Sequence, residues 1–391
     1  MNVKKGFDLP NKEWQLSSPV KVFFGTGSIS NLNKIPDDFG KKCLIITGPN
    51  IEKSPAIKTC KEILDLKGHE YEIFSKVDSE PTSSHVNDIV NLFSKTNSEF
   101  LIAVGGGSAL DAAKAASVII KQGGDIHEYF QGKLIDKSSI PLIVIPTTSG
   151  TGAELSKGAI ISWPEKGIKT GLRGEAVYAH IAIVDPNLTI SCPSSVTKIS
   201  GFDVFTHALE TYLSRASNKM TSAYSLLAIE NVTESLPKLL NNPGDLKSRN
   251  SMSFYSMLMG FNLANSSTCL PHRLQYPLGE LTKTPHALGL AAIYPSWVEI
   301  TMTSSKEKLE AVADRMYKGL SNAGIECNDN KNILKLLKTF MTAIDLQPRL
   351  SDFNLNKKDC FDLSNKVSGN LANDPWWSDG CDLTQFYLKS L

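Results

Sequence analysis

"EFLIAVGGGSALDAAKAASVIIKQGG", residues 99–124, runs from an apolar stretch through three glycines and a serine into an alanine-rich segment of helical period. Strand, tight glycine turn and helix in that order form the first half of a βαβ unit, so a parallel sheet is the expectation. The same alternation continues outward. "KKCLIITGP" (41–49), "YEIFSKV" (71–77), "PLIVIPTT" (141–148) and "HIAIVDP" (180–186) are short β-branched runs, predicted as strands covered on both faces. Amphipathic segments such as "IEKSPAIKTCKEILDLKG" and "SSHVNDIVNLFSKT" lie between them.

Beyond "VDPNLTISCPSS" the pattern changes. Long 3.6-period segments follow, among them "TKISGFDVFTHALETYLSRAS" and "TSAYSLLAIENVTESLPKLL", with no convincing strand. The chain is therefore read as a Rossmann-like α/β domain over 1–190 with a parallel sheet, and an all-α domain over 191–391. No internal repeat or low-complexity linker separates them, so tight packing of the two halves is expected.

The 391 residues are ample for two cores, and 41% hydrophobic with 21% charged residues is ordinary globular composition. A formal net charge of +1 without a dense Lys/Arg cluster argues against nucleic acid or an acidic membrane as partner. The opening "MNVKKGFDLPNKEW" lacks an apolar signal core, and no run approaches the ~18 apolar residues of a membrane span. Seven cysteines without CxxC spacing fit a reduced, cytoplasmic chain.

Two strands end in small-residue loops, "GGGS" and "PTTSGTG". Ligands of open parallel sheets bind beyond the carboxyl ends of strands, and glycines let backbone amides approach an anion there. Gly106, Gly107 and Ser108 are thus candidates for a phosphate loop. Ser108 is expected to cap the helix, with Asp111 in capping-box position. The spacing is not GxGxxG, and a plain strand–helix turn is the alternative. Thr147, Thr148 and Thr151 would add hydroxyl donors to the same diphosphate.

Asp203 and His207, four apart in "GFDVFTHALE", share a helical face. His272 in "LPHRLQYP" and His286 in "TKTPHALG" follow. Three imidazoles and a carboxylate suit Fe²⁺ or Zn²⁺ and suit Mg²⁺ or Ca²⁺ poorly. Spacing alone does not bring the two segments together.

"GGGSALDAAKA", "PTTSGTGAE", "VDPNLT", "GFDVFTHALETYLS" and "PLGELTKTPHALG", in this order, resemble the signatures of the iron-containing alcohol dehydrogenases, whose fold is like that of dehydroquinate synthase. The likeness runs from about residue 15 to at least residue 300. It implies that Asp203, His207, His272 and His286 ligate the metal, Fe²⁺ before Zn²⁺. It further implies that Gly106, Gly107, Ser108 and Asp111 form the diphosphate loop, that Thr147, Thr148 and Thr151 line the cofactor, and that Lys169 in "EKGIKTG" contacts it.

Three departures stand out. Many members carry a second histidine four residues after the third ligand; here that position is Tyr276, a candidate proton donor of different acidity. Arg273 follows His272 where small or apolar residues are usual, and is a candidate for meeting an anionic substrate group. The strand "CLIIT" runs into Gly48-Pro49-Asn50 with no carboxylate to repel a 2′-phosphate, so the cofactor is NADPH or NADH. Trp376 and Trp377 match no motif of the family and read as core, interface or pocket wall.

The resemblance implies a metal-dependent, NAD(P)-linked alcohol dehydrogenase or aldehyde reductase for a small aldehyde or alcohol, as a homodimer or larger homo-oligomer; Arg273 adds the expectation of an anionic substrate. The alternatives are a dehydroquinate synthase-like lyase or cyclase without net redox change, and a nucleotide-binding homologue that has lost catalysis.

Overall fold

The computed structural model describes residues 13–391. Residues 1–12, which include most of the segment read as lacking a signal core, lie outside the described residues. The strands are β1 (Lys21–Phe24), β2 (Lys42–Ile46), β3 (Glu70–Phe74), β4 (Phe100–Gly105), β5 (Leu142–Pro146), β6 (Gly158–Trp163), β7 (Ile168–Arg173) and β8 (Ile181–Val184). The first four helices are α1 (Pro55–Lys67), α2 (Ser83–Thr96), α3 (Gly107–Gln122) and the short α4 (Ile126–Phe130). Helices alone, besides 3₁₀ turns, follow: α5 (Ser194–Leu213), α6 (Lys219–Asn241), α7 (Leu246–Ser266), α8 (Leu270–Thr282), α9 (His286–Thr301), α10 (Lys306–Asn322), α11 (Ile333–Ala343), α12 (Lys357–Ser364) and α13 (Thr384–Ser390).

Residues 18–193 form one compact unit, and residues 194–391 with 13–17 form the other. In the first unit six strands make a parallel sheet in the order β1-β8-β5-β4-β2-β3. Cys43, Ile45, Phe100, Ile102, Ile143 and Ile183 cluster on one face with Ile57, Cys60 and Leu64 of α1. Their neighbours Leu44, Leu101, Ala103, Leu142 and Val144 are equally buried, and α3 packs on β4 and β5. Burial on both faces is what the unbroken apolar runs require.

Strand order reverses between β2 and β4, which places the crevice of the sheet at Thr47–Gly48 and Gly105–Gly107. β4 and β5 are hydrogen-bonded neighbours with Gly105 opposite Pro146, so the two small-residue loops leave the sheet side by side. The antiparallel hairpin β6–β7 was not foreseen from the sequence. Only one residue of β7, Leu172, is buried, so the strand lacks the apolar run that marks β2, β4, β5 and β8.

In the second unit α5 is buried on every side from Gly201 to Leu213. An all-round buried helix is a core element rather than a surface one. Gly201 permits this: a Cβ there would stand 2.5 Å from Leu236 of α6. Phe202, Phe205, Tyr294 and Phe340 stack around it. Trp376 packs edge-on against Phe386 at 5.0 Å, and both tryptophans join this core.

Candidate active site

The N-terminal end of α3 is built differently from the sequence expectation. Gly106, in extended conformation, is the N-cap, and no side chain caps the helix. Ser108 lies within the first turn, past the cap position, and its hydroxyl donates to the Ser79 carbonyl at 2.6 Å. The Ser108–Asp111 capping box is thereby corrected. Asp111 turns inward: its carboxylate accepts from the Ile160 amide at 3.0 Å and pairs with Lys114 at 3.5 Å. Burial holds that carboxyl above its ordinary range. Lys114, fully buried, donates to the carbonyls of Ala153 and Gly158 and to Ser156, and so ties α3 to the loop after β5. Asp111 and Lys114 hold the site's frame.

The two loops meet closely. A Cβ at Gly107 would lie 2.6 Å from Oγ1 and Cγ2 of Thr151, and one at Gly106 would lie 3.4 Å from Oγ1 of Thr148. Thr147 is held by its amide to the Gly105 carbonyl at 2.9 Å, while its buried hydroxyl has no partner. Glycine backbone, the amides of the first turn of α3 and three threonines therefore share one place, a set suited to phosphate oxygens. Lys169 lies on β7, largely buried, in an ion pair with Glu80.

The second cluster lies in the helical unit. Asp203 and His207 of α5 and His272 of α8 are buried, with ligand atoms all within 4.8 Å of one another. Nε2 of His207 is 3.7 Å, and Nε2 of His272 is 3.9 Å, from the same Asp203 Oδ1. His272 Nε2 has no hydrogen-bond partner, although the residue is only 4% exposed. Leaving a buried ring nitrogen unsatisfied is costly, and a cation would satisfy it. Ligands about 2.1 Å from a tetrahedral ion sit roughly 3.4 Å apart, close to the spacing seen. His286 opens α9 and stands beside this group, its ring 5.1 Å from that of His272, but outside the tight trio.

Sequence reasoning missed two residues that orient these rings and a third that fixes the helix carrying His272. Glu210 is the third member of the α5 stripe, at i+7 from Asp203, and is wholly buried. It bonds His272 Nδ1 at 2.7 Å and accepts from the Cys269 amide at 2.8 Å. With the Nδ1 proton on Glu210's side, His272 presents its Nε2 lone pair to the cluster. Burial raises the Glu210 carboxyl and lowers the His272 imidazole, which keeps the ring neutral. Gln275 does the same for His286, its Oε1 meeting His286 Nδ1. It is wedged there, since a Cβ at Gly279 or Gly289 would stand 2.6 or 3.2 Å from its Nε2. Asp374 takes the Leu270 amide at 3.0 Å and the Trp297 indole at 2.9 Å, fixing the start of α8. A carboxylate three residues after His207 and seven after Asp203, on the same helical face, was the signal that could have exposed Glu210.

Tyr276 and Arg273 lie one turn apart on α8. The Arg273 Nη1 donates to the Tyr276 hydroxyl at 3.2 Å, and the Tyr276 ring is 6.4 Å from that of His286.

The iron-containing alcohol dehydrogenase model matches residues 19–186, and the C-terminal model of the Fe-containing alcohol dehydrogenase family matches 197–375. Sulfoacetaldehyde reductase of Bilophila wadsworthia is 28% identical over 361 residues, covering 91% of this chain and 93% of the relative. Alcohol dehydrogenase 4 of Saccharomyces cerevisiae (strain YJM789) is 30% identical over 342 residues, 87% and 88% of the two chains. Among solved structures, an alcohol dehydrogenase from Oenococcus oeni superposes with TM-score 0.89 at 25% identity, covering 97% of this chain and 100% of that one. The chain belongs to the iron-containing alcohol dehydrogenase family and is an oxidoreductase of alcohols and aldehydes. Among the described residues no helix is long and apolar enough to cross a membrane.

Proposed function

We propose that the protein is a metal-dependent, NAD(P)H-linked reductase of a small, anionic aldehyde, working reversibly on the corresponding alcohol. The observation that carries this reading is the buried trio Asp203, His207 and His272 with an orphaned Nε2 among them. Nitrogen and carboxylate donors of this kind fit Fe²⁺ or Zn²⁺, and membership of the iron-containing family favours iron. His286, oriented by Gln275, would complete the set with a modest movement of its ring.

When bound, the cation supplies Lewis acidity toward a carbonyl oxygen, and the nicotinamide supplies a hydride. The chain's own residues do the rest. Asp203, His207 and His272 hold their donor atoms in place, with Glu210 fixing the His272 ring. Gly106 and Gly107 with Thr147, Thr148 and Thr151 would bind the dinucleotide's diphosphate, with Lys169 beside them. Tyr276, whose oxygen accepts from Arg273, keeps its own O–H available and would donate a proton to the carbonyl oxygen. In balance, hydride adds to the carbonyl carbon, one proton adds to oxygen, and the oxidised nicotinamide and an alcohol leave.

The relative that reduces sulfoacetaldehyde supports an anionic substrate. Seven cysteines without CxxC spacing support a cytoplasmic setting, and a homodimer or larger assembly belongs to the same proposal. The first unit would serve as the dinucleotide-binding domain and the second as the metal and substrate domain. Fe²⁺- or Zn²⁺-loaded protein, given NADPH or NADH and a panel of short aldehydes, should consume the nicotinamide. Absence of consumption with every aldehyde and both cofactors would refute the reading.

A further inference from the structure

Arg273 is an arginine in an unusual situation. It is 7% exposed, in the first turn of α8 directly after His272. Among the described residues no carboxylate forms an ion pair with it. Its Nη1 bonds the neutral Tyr276 hydroxyl, its guanidinium carbon lies 5.6 Å from the centre of the Tyr276 ring, and its Nε is buried without a hydrogen-bond partner. A buried guanidinium with an unmet donor and no carboxylate in direct contact is expensive, and such cations are normally paired.

The side chain is also held in place. Gly369, at φ +101°, lies against it, and a Cβ there would stand 3.2 Å from Arg273 Cδ and 3.4 Å from Nε. Only a residue without a side chain lets the backbone after α12 lie so close to the guanidinium. Gly369 on one side and Tyr276 on the other thus fix the fork before any ligand arrives, which reduces the entropic cost of binding. A guanidinium fork matches oxyanions through paired N–H donors.

We propose that Arg273 is the specificity-determining residue of the site: it receives the oxyanion of a sulfonate- or phosphonate-bearing aldehyde while the aldehyde end reaches the His–Asp cluster. This rests on the reductase reading above and deepens it. The centre of the Tyr276 ring lies 5.6 Å from the guanidinium carbon and 6.4 Å from the centre of the His286 ring, so Arg273 stands near the His–Asp cluster. The aldehydes of this class carry a single carbon between the acid group and the carbonyl carbon.

The test has a kinetic and a binding arm. kcat/KM is measured for 2-oxoethylsulfonate, 2-oxoethylphosphonate and the neutral aldehydes propanal and butanal. The expected anionic-to-neutral ratio is about 100 or more in the unmodified enzyme. It falls about 30-fold or more in Arg273→Met, the loss typical of truncating one partner of a buried charge pair. Arg273→Lys keeps the charge without the fork and should fall in between, which covers the case of an unstable methionine variant. Separately, calorimetry of the metal-loaded protein with ethanesulfonate and ethylphosphonate should show binding that Arg273→Met abolishes. The two anions also decide between sulfonate and phosphonate. An unmodified enzyme that reduces neutral aldehydes as well as anionic ones overturns the proposal, as does anion binding that survives in Arg273→Met. If no aldehyde is reduced but the anions bind through Arg273, the reductase reading fails and the anion site stands.

Discussion

Replacing Glu210 with glutamine should weaken the cation site 10- to 100-fold, although residue 210 is not itself a proposed ligand. Two donors converge on its carboxylate: His272 Nδ1 at 2.7 Å and the Cys269 amide at 2.8 Å. A carboxylate accepts from both, but glutamine has a single acceptor oxygen. If that oxygen serves Cys269, the new NH₂ group faces Nδ1 and drives the ring proton to Nε2. That atom then points N–H, rather than a lone pair, toward Asp203 Oδ1, 3.9 Å away. Outer partners of ligating histidines are commonly worth 10- to 100-fold in metal affinity, about 1.4 to 2.7 kcal/mol. The assay is competition for Zn²⁺ against a chromophoric chelator, with circular dichroism to confirm that the variant is folded. A folded Glu210→Gln protein that takes zinc as tightly as the unmodified one would refute this account of the His272 ring.

Other perturbations separate the parts of the site. Gly107→Ala puts a Cβ 2.6 Å from Thr151 and should raise the Kd for the nicotinamide dinucleotide tenfold or more, with zinc affinity unaltered, by fluorescence titration. Tyr276→Phe should lower kcat about 100-fold with little change in KM if the phenol donates the proton; a raised KM at constant kcat would leave it only a support for Arg273. Lys114→Met leaves Asp111 buried without its partner and should cost roughly 3 kcal/mol or more, read as a lower Tm. Burial pushes the Glu154 carboxyl up to about 7 from an ordinary 4.5. Its folded-state pKa is the higher one, so its stabilising protonation is complete at low pH and is lost as pH rises from about 4.5 through 7, by up to about 3 kcal/mol. Tm should therefore fall more steeply over that window in the unmodified protein than in Glu154→Gln.

What could be read from the chain, and what could not, divides by sequence distance. The central strands β2, β4, β5 and β8 were legible because each is a continuous apolar run, whereas the edge strand β3, EYEIF, is covered only at Phe74 and not on both faces as expected. Asp203 with His207 was legible because four residues make one helical turn. The partners of Glu210 and Asp374 were not legible. The His272–Glu210 contact spans 62 residues and the Leu270–Asp374 contact spans 104, and neither leaves a local pattern. Gln275 lies 11 residues from His286, across a turn whose direction no propensity reveals. Ser108 misled for a different reason: serine before a helix ordinarily caps it, but here the Ser79 carbonyl captures the hydroxyl and a glycine takes the cap position. Tyr276 and Arg273 were visible as departures from the family pattern, while their mutual hydrogen bond and the packing of Gly369 came only with the fold.

The central claim concerns one cation. Protein loaded with Fe²⁺ under anaerobic conditions, studied by anomalous diffraction at the iron edge, should show a single peak per chain. That peak should be bonded to Asp203 and to Nε2 of His207, His272 and His286 at about 2.0–2.2 Å, the distances usual for a first-row dication. A peak elsewhere in the chain, or a chain that stays free of iron while folded, would contradict the account.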